Sequence, residues 1–274
     1  METLSALKMK KSQKITLSSR PFAEKITGIL NRLDFSLGAD EDSVFFEKRE
    51  GKKVLVLVLA SDRGFCGSFN QNILKFSEKE IKLISQDREI FLLTVGKKAR
   101  AYFKKKGYEV RHNFFGIGDF GELADIKMIS DFLIKKFLGN QYQEVYLFYT
   151  HFVSTFSQKP QKVKLLPVDR ENLDVFLRGG YQKDEAKEVK DFLIEPSRRL
   201  LLEEVVPQLI EYLVYQAILE GNASEHSSRM MAMRNASENA KKKNDALKLD
   251  YNKARQEDIT SEVLEVSSAK EALE

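Results

Sequence analysis

The sequence predicts an α/β domain with a small, largely parallel sheet, inserted between long N- and C-terminal helices that form an antiparallel coiled coil. Three observations lead there. From about Pro207 to Ala272 no further proline occurs, and Gly221 alone interrupts a helical pattern. At ~1.5 Å per residue that segment would make a helix of roughly 95 Å. Its positions Ala223, His226, Met230, Met233, Ser237, Ala240, Asn244, Leu247, Tyr251 and Ala254 follow a strict 3-4 spacing, the rhythm of a helix that winds on a partner. Half of them are small or polar, too weak for an independent zipper. Second, residues 1 to about 33 also read as helix. Third, Val54 to Ala60 is a continuous apolar run, as in a strand covered on both faces, and the chain beyond it alternates strand and helix patterns.

In the first helix Leu4, Leu7, Lys8, Lys11, Ile15 and Ser18/Ser19 share one face, and Phe22, Ile26, Ile29, Leu30 and Leu33 continue it. Pro21 lies inside, where it removes a hydrogen bond and bends the helix. Residues 34 to 53 are polar, a loop or frayed continuation. After the strand at Val54–Ala60 come a glycine-rich turn and a helix from about Phe69 to Ile84. A strand over Glu89–Val95, a helix over Lys97–Lys106 closed by Gly107, and a weak strand over Tyr108–Phe115 follow. Phe120–Phe137 reads as helix, Glu144–Phe152 as strand and Lys162–Val168 as an edge strand. Residues 170 to 188, with Gly179-Gly180, form a polar connection. Val189–Ile194 is a further strand candidate, ended by Pro196. A short helix then leads through Pro207, at a first helical turn, into the long one. The division is 1–50 for the first helix and its connection, 51–195 for the α/β foot and 196–274 for the last helix. The terminal helices can meet only if both leave one side of the foot, and they then run antiparallel.

Composition narrows the classes. The chain has 45 basic and 41 acidic residues, a net charge of +4, which gives no general mark of a nucleic-acid binder. Cys66 is the only cysteine, so no internal disulfide can form, which fits a reducing compartment. No apolar run approaches the ~20 residues of a membrane-spanning helix, and the N-terminus lacks a signal-peptide core. The chain reads as soluble and intracellular, able to dock on a membrane complex.

Each candidate site has a plainer reading beside it. Ser61-Asp62-Arg63-Gly64-Phe65-Cys66-Gly67-Ser68-Phe69-Asn70 follows the first strand and opens a helix, where phosphate loops sit. It fits neither nucleotide motif and lacks the lysine, so a tight turn with Gly64 and Gly67 at positive φ is favoured. Cys66, at a helix N-terminus, is a nucleophile candidate. His112, His151 and His226 are scattered, so a small buried residue is favoured. The clusters Lys8-Met9-Lys10-Lys11 and Lys241-Lys242-Lys243 could touch phosphates, but mixed charges along the last helix favour a solvated face. No metal-ligand spacing and no evident carboxylate pair occur. The residues by themselves reach a non-catalytic rod on an α/β foot.

Several stretches together resemble the gamma subunit of the F-type ATP synthase, over nearly the whole chain. They are Met1-Glu2-Thr3-Leu4-Ser5-Ala6-Leu7-Lys8-Met9, Ser19-Arg20-Pro21-Phe22-Ala23-Glu24, the run Ala223 to Ala236 with Arg229-Met230-Met231-Ala232-Met233-Arg234, Tyr251 to Gln256, and Ile259 to Glu265. The loop Ser61 to Asn70 and the corner Glu195-Pro196-Ser197 also match. The resemblance implies a rotor shaft, present once per complex, inside a ring of alternating alpha and beta subunits. Its foot would rest on the epsilon subunit and the ring of c subunits, and ion flow would turn it. It implies no catalytic residue, no cofactor, no metal, no nucleic acid, and a peripheral place on the cytoplasmic face of a bacterial inner membrane. Arg255, Gln256, Thr260 and Glu262 match positions that contact loops of the catalytic hexamer. Met1, Lys8, Arg229 and Arg234 match the region near the lower bearing. Two departures stand out. Family members carry some twenty residues before the position of Met1, so the expectation is a native start further upstream. Ala269-Lys270 stands where the family pattern has Gly-Ala. The rival classes are an α/β nucleotide enzyme using Ser61 to Asn70, and a coiled-coil nucleic-acid binder using the lysine clusters.

Overall fold

The computed structural model describes residues 1–32, 43–169 and 197–271. The polar connection at 170–188, the strand candidate at Val189–Ile194 and most of the Glu195-Pro196-Ser197 corner therefore lie outside the described residues. The chain packs into two compact units, Met1–Met230 and Met231–Glu274.

The first unit is built on a five-stranded sheet. Its strands are β1 (Lys53–Leu59), β2 (Glu89–Val95), β3 (Val110–Phe114), β4 (Glu144–Ser154) and β5 (Ser157–Leu166). They lie in the order β3-β2-β1-β4-β5, the first four parallel and β5 antiparallel to β4. The continuous apolar run makes β1 the central strand because both its faces are covered. Val54, Val56 and Val58 pack with Ile73, Ile81 and Phe103 of helices α2 (Phe69–Ile84) and α3 (Lys97–Lys105). Leu55, Leu57 and Leu59 face the other way, into a core shared with Ile126, Leu133 and Phe137 of α4 (Leu123–Leu138) and with Leu209 and Leu213 of the last helix, α5 (Arg198–Glu271). Each such fully buried side chain contributes roughly 1.5–3 kcal/mol.

The α2 and β2 bounds agree with the sequence reading. β3 is shorter than expected and β4 runs on to Ser154, and four further details differ for a visible reason. α4 begins at Leu123 rather than Phe120, because Gly116 (φ 76°) and Gly121 (φ 61°) hold the preceding residues in a loop. β5 begins at Ser157, because Ser154 to Ser157 closes a hairpin whose tip amides, those of Phe156 and Ser157, donate to the Ser154 hydroxyl. The segment after residue 42 is not simply polar: Phe45 and Phe46 are buried in the core, and the Phe45 carbonyl accepts from the Val168 amide at 2.8 Å. Pro207 does not sit in a first turn. α5 starts at Arg198, with the Ser197 hydroxyl accepting from the Leu200 amide, and runs unbroken through the proline. The lost helical bond is offset by burial, since Leu202, Val206, Leu209 and Ile210 all enter the core.

Gly96 makes the turn between β2 and α3. Its φ is 93°, and a Cβ there would lie 2.1 Å from the Ala60 carbonyl oxygen. Gly96→Ala is therefore expected to destabilise the chain by at least ~2 kcal/mol, seen as a lower urea midpoint by circular dichroism. Gly64→Ala, where neither a positive φ nor a neighbour within 4 Å intervenes, is the matched control and should shift it little.

Helix α1 (Glu2–Arg32) packs against α5 within the same unit. Phe22 meets Tyr212 with ring centroids 5.7 Å apart, and Ser19 Oγ donates to Gln216 Oε1 at 3.2 Å. Rising numbers on α1 meet falling numbers on α5, so the pair is antiparallel. The buried face of α1 is the expected one only in part: Ile26 is buried and Ser19 and Phe22 meet α5, but toward the start Ser5, Met9 and Ser12 are buried whereas Leu4 and Leu7 are about 60% exposed. Small hydroxyl side chains take the inner face, and the Thr16 hydroxyl satisfies itself on the Ser12 carbonyl one turn back.

The second unit is the remainder of α5. Every residue from Arg234 to Ala269 is exposed, Leu247, Tyr251, Val263, Leu264 and Val266 included. Among the described residues its side-chain ion pairs are two solvent-exposed i,i+4 pairs, Arg234–Glu238 and Lys253–Glu257, each contributing about 0.3–0.5 kcal/mol.

Candidate functional site

The functional geometry gathers where α5 crosses the carboxyl end of the sheet, inside the first unit. In the strand order, β1 lies between β2 and β4, and the crossovers diverge on either side of the β1–β4 pair. That divergence is where an open α/β sheet normally takes a ligand. Here α5 occupies it. The Ser224 hydroxyl donates to the Thr150 carbonyl at 3.4 Å and the Ser227 hydroxyl to the Thr155 carbonyl at 2.6 Å. The Arg229 guanidinium donates to the Gly64 carbonyl at 3.3 and 3.4 Å. A run of small hydroxyl residues lets the helix backbone come close to the strand ends, which bulky side chains would prevent.

The loop Ser61 to Asn70 is closed on itself. The Asn70 side chain accepts from the Ser61 amide at 3.1 Å and donates to Cys66 Sγ at 3.1 Å. Asp62 accepts from the Lys97 amide at 2.9 Å, tying this turn to the start of α3. The left-handed positions are Phe65 (φ 59°) and Gly67 (φ 56°), so Gly64 does not serve the expected role. Its role is instead to present its carbonyl to Arg229. Cys66 is 2% exposed, and burial, reinforced by the Glu225 charge, pushes its thiol up. A buried thiol that resists ionisation is no nucleophile.

A polar chain links α1 to α5 beside this crossing. Lys8 Nζ pairs with Asp119 Oδ2 at 2.5 Å, and Asp119 Oδ1 meets His226 Nε2 at 3.0 Å. His226 Nδ1 meets an Arg229 guanidinium nitrogen at 3.2 Å, and Arg229 pairs with Glu225 at 2.5 Å. Arginine only donates, so His226 Nδ1 must accept. The ring proton then sits on Nε2 and is donated to Asp119. Burial holds His226 below its ordinary range against the pull of Asp119, which keeps the ring neutral. Burial pushes the Asp119 carboxyl up, but the bond from Lys8 and the neighbouring charges outweigh it and leave it lowered. Burial likewise raises Glu225, opposed by its bond to Arg229. A second relay runs parallel. His151 Nδ1 meets Glu220 at 2.5 Å, Glu220 accepts from Gln216 at 3.1 Å, and Gln216 accepts from Ser19 of α1.

The structure thus brings Lys8 and Arg229 into one network through Asp119 and His226. Met1 is exposed at the start of α1, its carbonyl accepting from the Ser5 amide. Arg234, Arg255, Gln256, Thr260 and Glu262 belong to the second unit and are all exposed. Arg234 pairs with Glu238, and the Thr260 hydroxyl donates to the Gln256 carbonyl at 2.8 Å. Sequence reasoning missed Asp119, Glu225 and Glu220. The one available signal was Gly116-Ile117-Gly118-Asp119, an acid held in a glycine-rich loop. Among the described residues no group of three or more His, Cys, Asp and Glu side chains could hold a metal ion.

A largely parallel sheet whose strand-end crevice is occupied by the chain's own last helix defines an α/β protein built around that helix. Comparison with known proteins agrees. The ATP synthase family model matches residues 1–273. The ATP synthase gamma chain of Pelotomaculum thermopropionicum is 38% identical over the whole chain and 92% of its own length. That of Desulforudis audaxviator is 35% identical, also over the whole chain and 92% of its length. Among solved structures, a chain of the Tetrahymena thermophila mitochondrial ATP synthase central stalk and c-ring superposes with a TM-score of 0.65, at 23% identity, over 86% of this chain and 97% of that one. One from the Euglena gracilis mitochondrial enzyme (OSCP, F1 and c-ring, rotational state 3) gives 0.56 at 18% identity over 99% and 94%. The chain belongs to the ATP synthase gamma chain family and is a non-catalytic subunit of that complex.

Proposed function

We propose that the chain is the central-stalk rotor of an F-type ATP synthase, coupling ion-driven rotation of a membrane ring to conformational change at the catalytic sites of an alpha/beta hexamer. The observation that carries this reading is the second unit: a helix exposed on every side from Arg234 to Ala269, with leucines, valines and a tyrosine bare. Isolated helices draw most of their stability from packing, so this one requires surroundings. A ring of alternating alpha and beta subunits supplies them. One asymmetric helix inside a threefold ring makes three chemically identical sites differ. Its small and polar seam resists permanent docking, which lets it turn.

In this reading 1–50 and 196–274 form the shaft and 51–195 the foot, which binds the epsilon subunit and the c ring, one copy per complex. Met1, Lys8, Arg229 and Arg234 serve the lower bearing, and Arg255, Gln256, Thr260 and Glu262 contact hexamer loops further along. The place is peripheral, on the cytoplasmic face of a bacterial inner membrane, and no described helix is long and apolar enough to cross a membrane. The nucleotide-enzyme reading lacks support, because α5 fills the crevice it needs.

The test is reconstitution with alpha, beta, epsilon and membrane-ring subunits in vesicles. ATP hydrolysis should drive ion pumping only when the chain is present. Arg255→Ala with Gln256→Ala should lower coupled turnover at least about tenfold, since a contact to a charged partner contributes ~1.5–3 kcal/mol, while circular dichroism stays unchanged. Failure to assemble with alpha and beta, together with nucleotide binding by the chain alone, would overturn the proposal.

A further inference from the structure

Helix α3 has the sequence Lys97-Lys98-Ala99-Arg100-Ala101-Tyr102-Phe103-Lys104-Lys105, five cations and no carboxylate. The whole chain has a net charge of +4 and α3 alone carries +5, so everything else sums to −1. All five cations are exposed, while Ala99 and Phe103 are buried beneath them. Among the described residues none of the five pairs with a carboxylate. Glu78, the nearest acid on α2, is already taken by Lys82 at 3.0 Å and Lys106 at 3.4 Å. Glu80 is taken by Lys162 at 2.7 Å. α2 adds Lys75 and Lys79, both exposed, to the same layer on this face of the sheet.

Stability accounts for only part of this pattern. Lys104 and Lys105 suit the negative end of the helix dipole, and Asp62 accepts from the Lys97 amide at the other, but the Lys97 and Lys98 side chains lie at the positive end, which is unfavourable. Lys97–Arg100 and Arg100–Lys104 are like-charged pairs at i,i+3 and i,i+4, which destabilise a helix. The composition also says what such a face fits. Protein interfaces are built around apolar and aromatic anchors with arginine enriched and lysine depleted. This surface has four lysines to one arginine, and its exposed uncharged residue is Ala101. Lysine is a flexible, strongly hydrated point charge suited to a diffuse anionic layer rather than to forked recognition. Clusters of about four to eight such residues are what an anionic lipid surface attracts.

We infer that the outer face of α3, Lys97, Lys98, Arg100, Lys104 and Lys105, is an electrostatic docking surface for the anionic headgroups of a lipid bilayer. It goes beyond the rotor reading and does not depend on it. The full chain is mixed with vesicles of phosphatidylglycerol in phosphatidylcholine, or of phosphatidylcholine alone, and partition is measured by co-flotation at low and high salt. Binding is expected to anionic vesicles only and to fall steeply with salt. Changing the five α3 cations to Gln, which preserves helix propensity, should weaken partition at least ~100-fold. Changing Lys241, Lys242 and Lys243 to Gln should weaken it less than about threefold, the α3 face being intact. Should the fivefold variant unfold, Lys97→Gln with Lys98→Gln and Lys104→Gln with Lys105→Gln each serve, with about 30-fold losses expected. Equal binding to neutral vesicles, an equal loss from the Lys241–Lys243 change, or capture by polyglutamate or duplex DNA in preference to the vesicles would each overturn the inference.

Discussion

In the free chain, backbone amides from about Ala236 to Glu271 are expected to exchange close to the unprotected rate, while those of Val54 to Val58 exchange only on global unfolding. The contrast follows from burial. β1 is bonded on both edges and covered on both faces, so no local motion exposes it. Among the described residues the second unit has no buried side chain, Met231 to Met233 being half-buried, and two weak surface ion pairs. Its opening free energy should be ~1 kcal/mol or less, a protection of under about tenfold. Addition of an alpha/beta hexamer should slow the same amides by several orders of magnitude, because each then opens only when the complex dissociates. Hydrogen exchange read by mass spectrometry separates the two regions. Strong protection of the second unit in the free chain would show a source of helix stability other than packing.

How much of this was legible in the sequence depended on which physical signal each element carries. β1 was readable because strands covered on both faces need an unbroken apolar run, and Val54 to Leu59 supplies one. α2 was readable to the residue because its apolar period begins after Gly67-Ser68 and stops at Ile84. The inner face of the first half of α1 was not. Periodicity marks leucines, and here the buried positions include Ser5 and Ser12, whose role is to be small. The site divided in the same way. Lys8 and Arg229 were reached through a resemblance carried by motifs at both ends of the chain. Asp119, which joins them, lies 111 residues from Lys8 in a loop without period. Glu225 reads from sequence as an ordinary helix-surface acid. Its burial arises only because α5 lies across the sheet, a tertiary fact with no local trace. Cys66 was read correctly as a buried residue because free cysteines usually pack, and its thiol pKa is raised accordingly.

Arg229→Met is expected to cost ~3–5 kcal/mol, the typical result of removing one member of a buried ion pair. Three partners lose their donor at once: the Gly64 carbonyl, His226 Nδ1 and the Glu225 carboxylate. Glu225 is the worst affected, since its side chain is 14% exposed and burial already pushes its pKa up. Arg229→Lys should recover only a small part, because one ammonium cannot reach three acceptors that the planar guanidinium spans. Glu225→Gln combined with Arg229→Met should cost less than Arg229→Met alone, as no charge is then left buried without its partner. That ordering distinguishes an electrostatic keystone from a side chain that merely fills space, for which the double change would cost at least as much as the single one. Urea unfolding of the full chain, followed by circular dichroism, measures all three. A cost under ~0.5 kcal/mol for Arg229→Met, the size of an ordinary surface substitution, would mean that the contact between α5 and the carboxyl end of the sheet is held by its other bonds, those of Ser224, Ser227 and Glu220 among them, and by the apolar core.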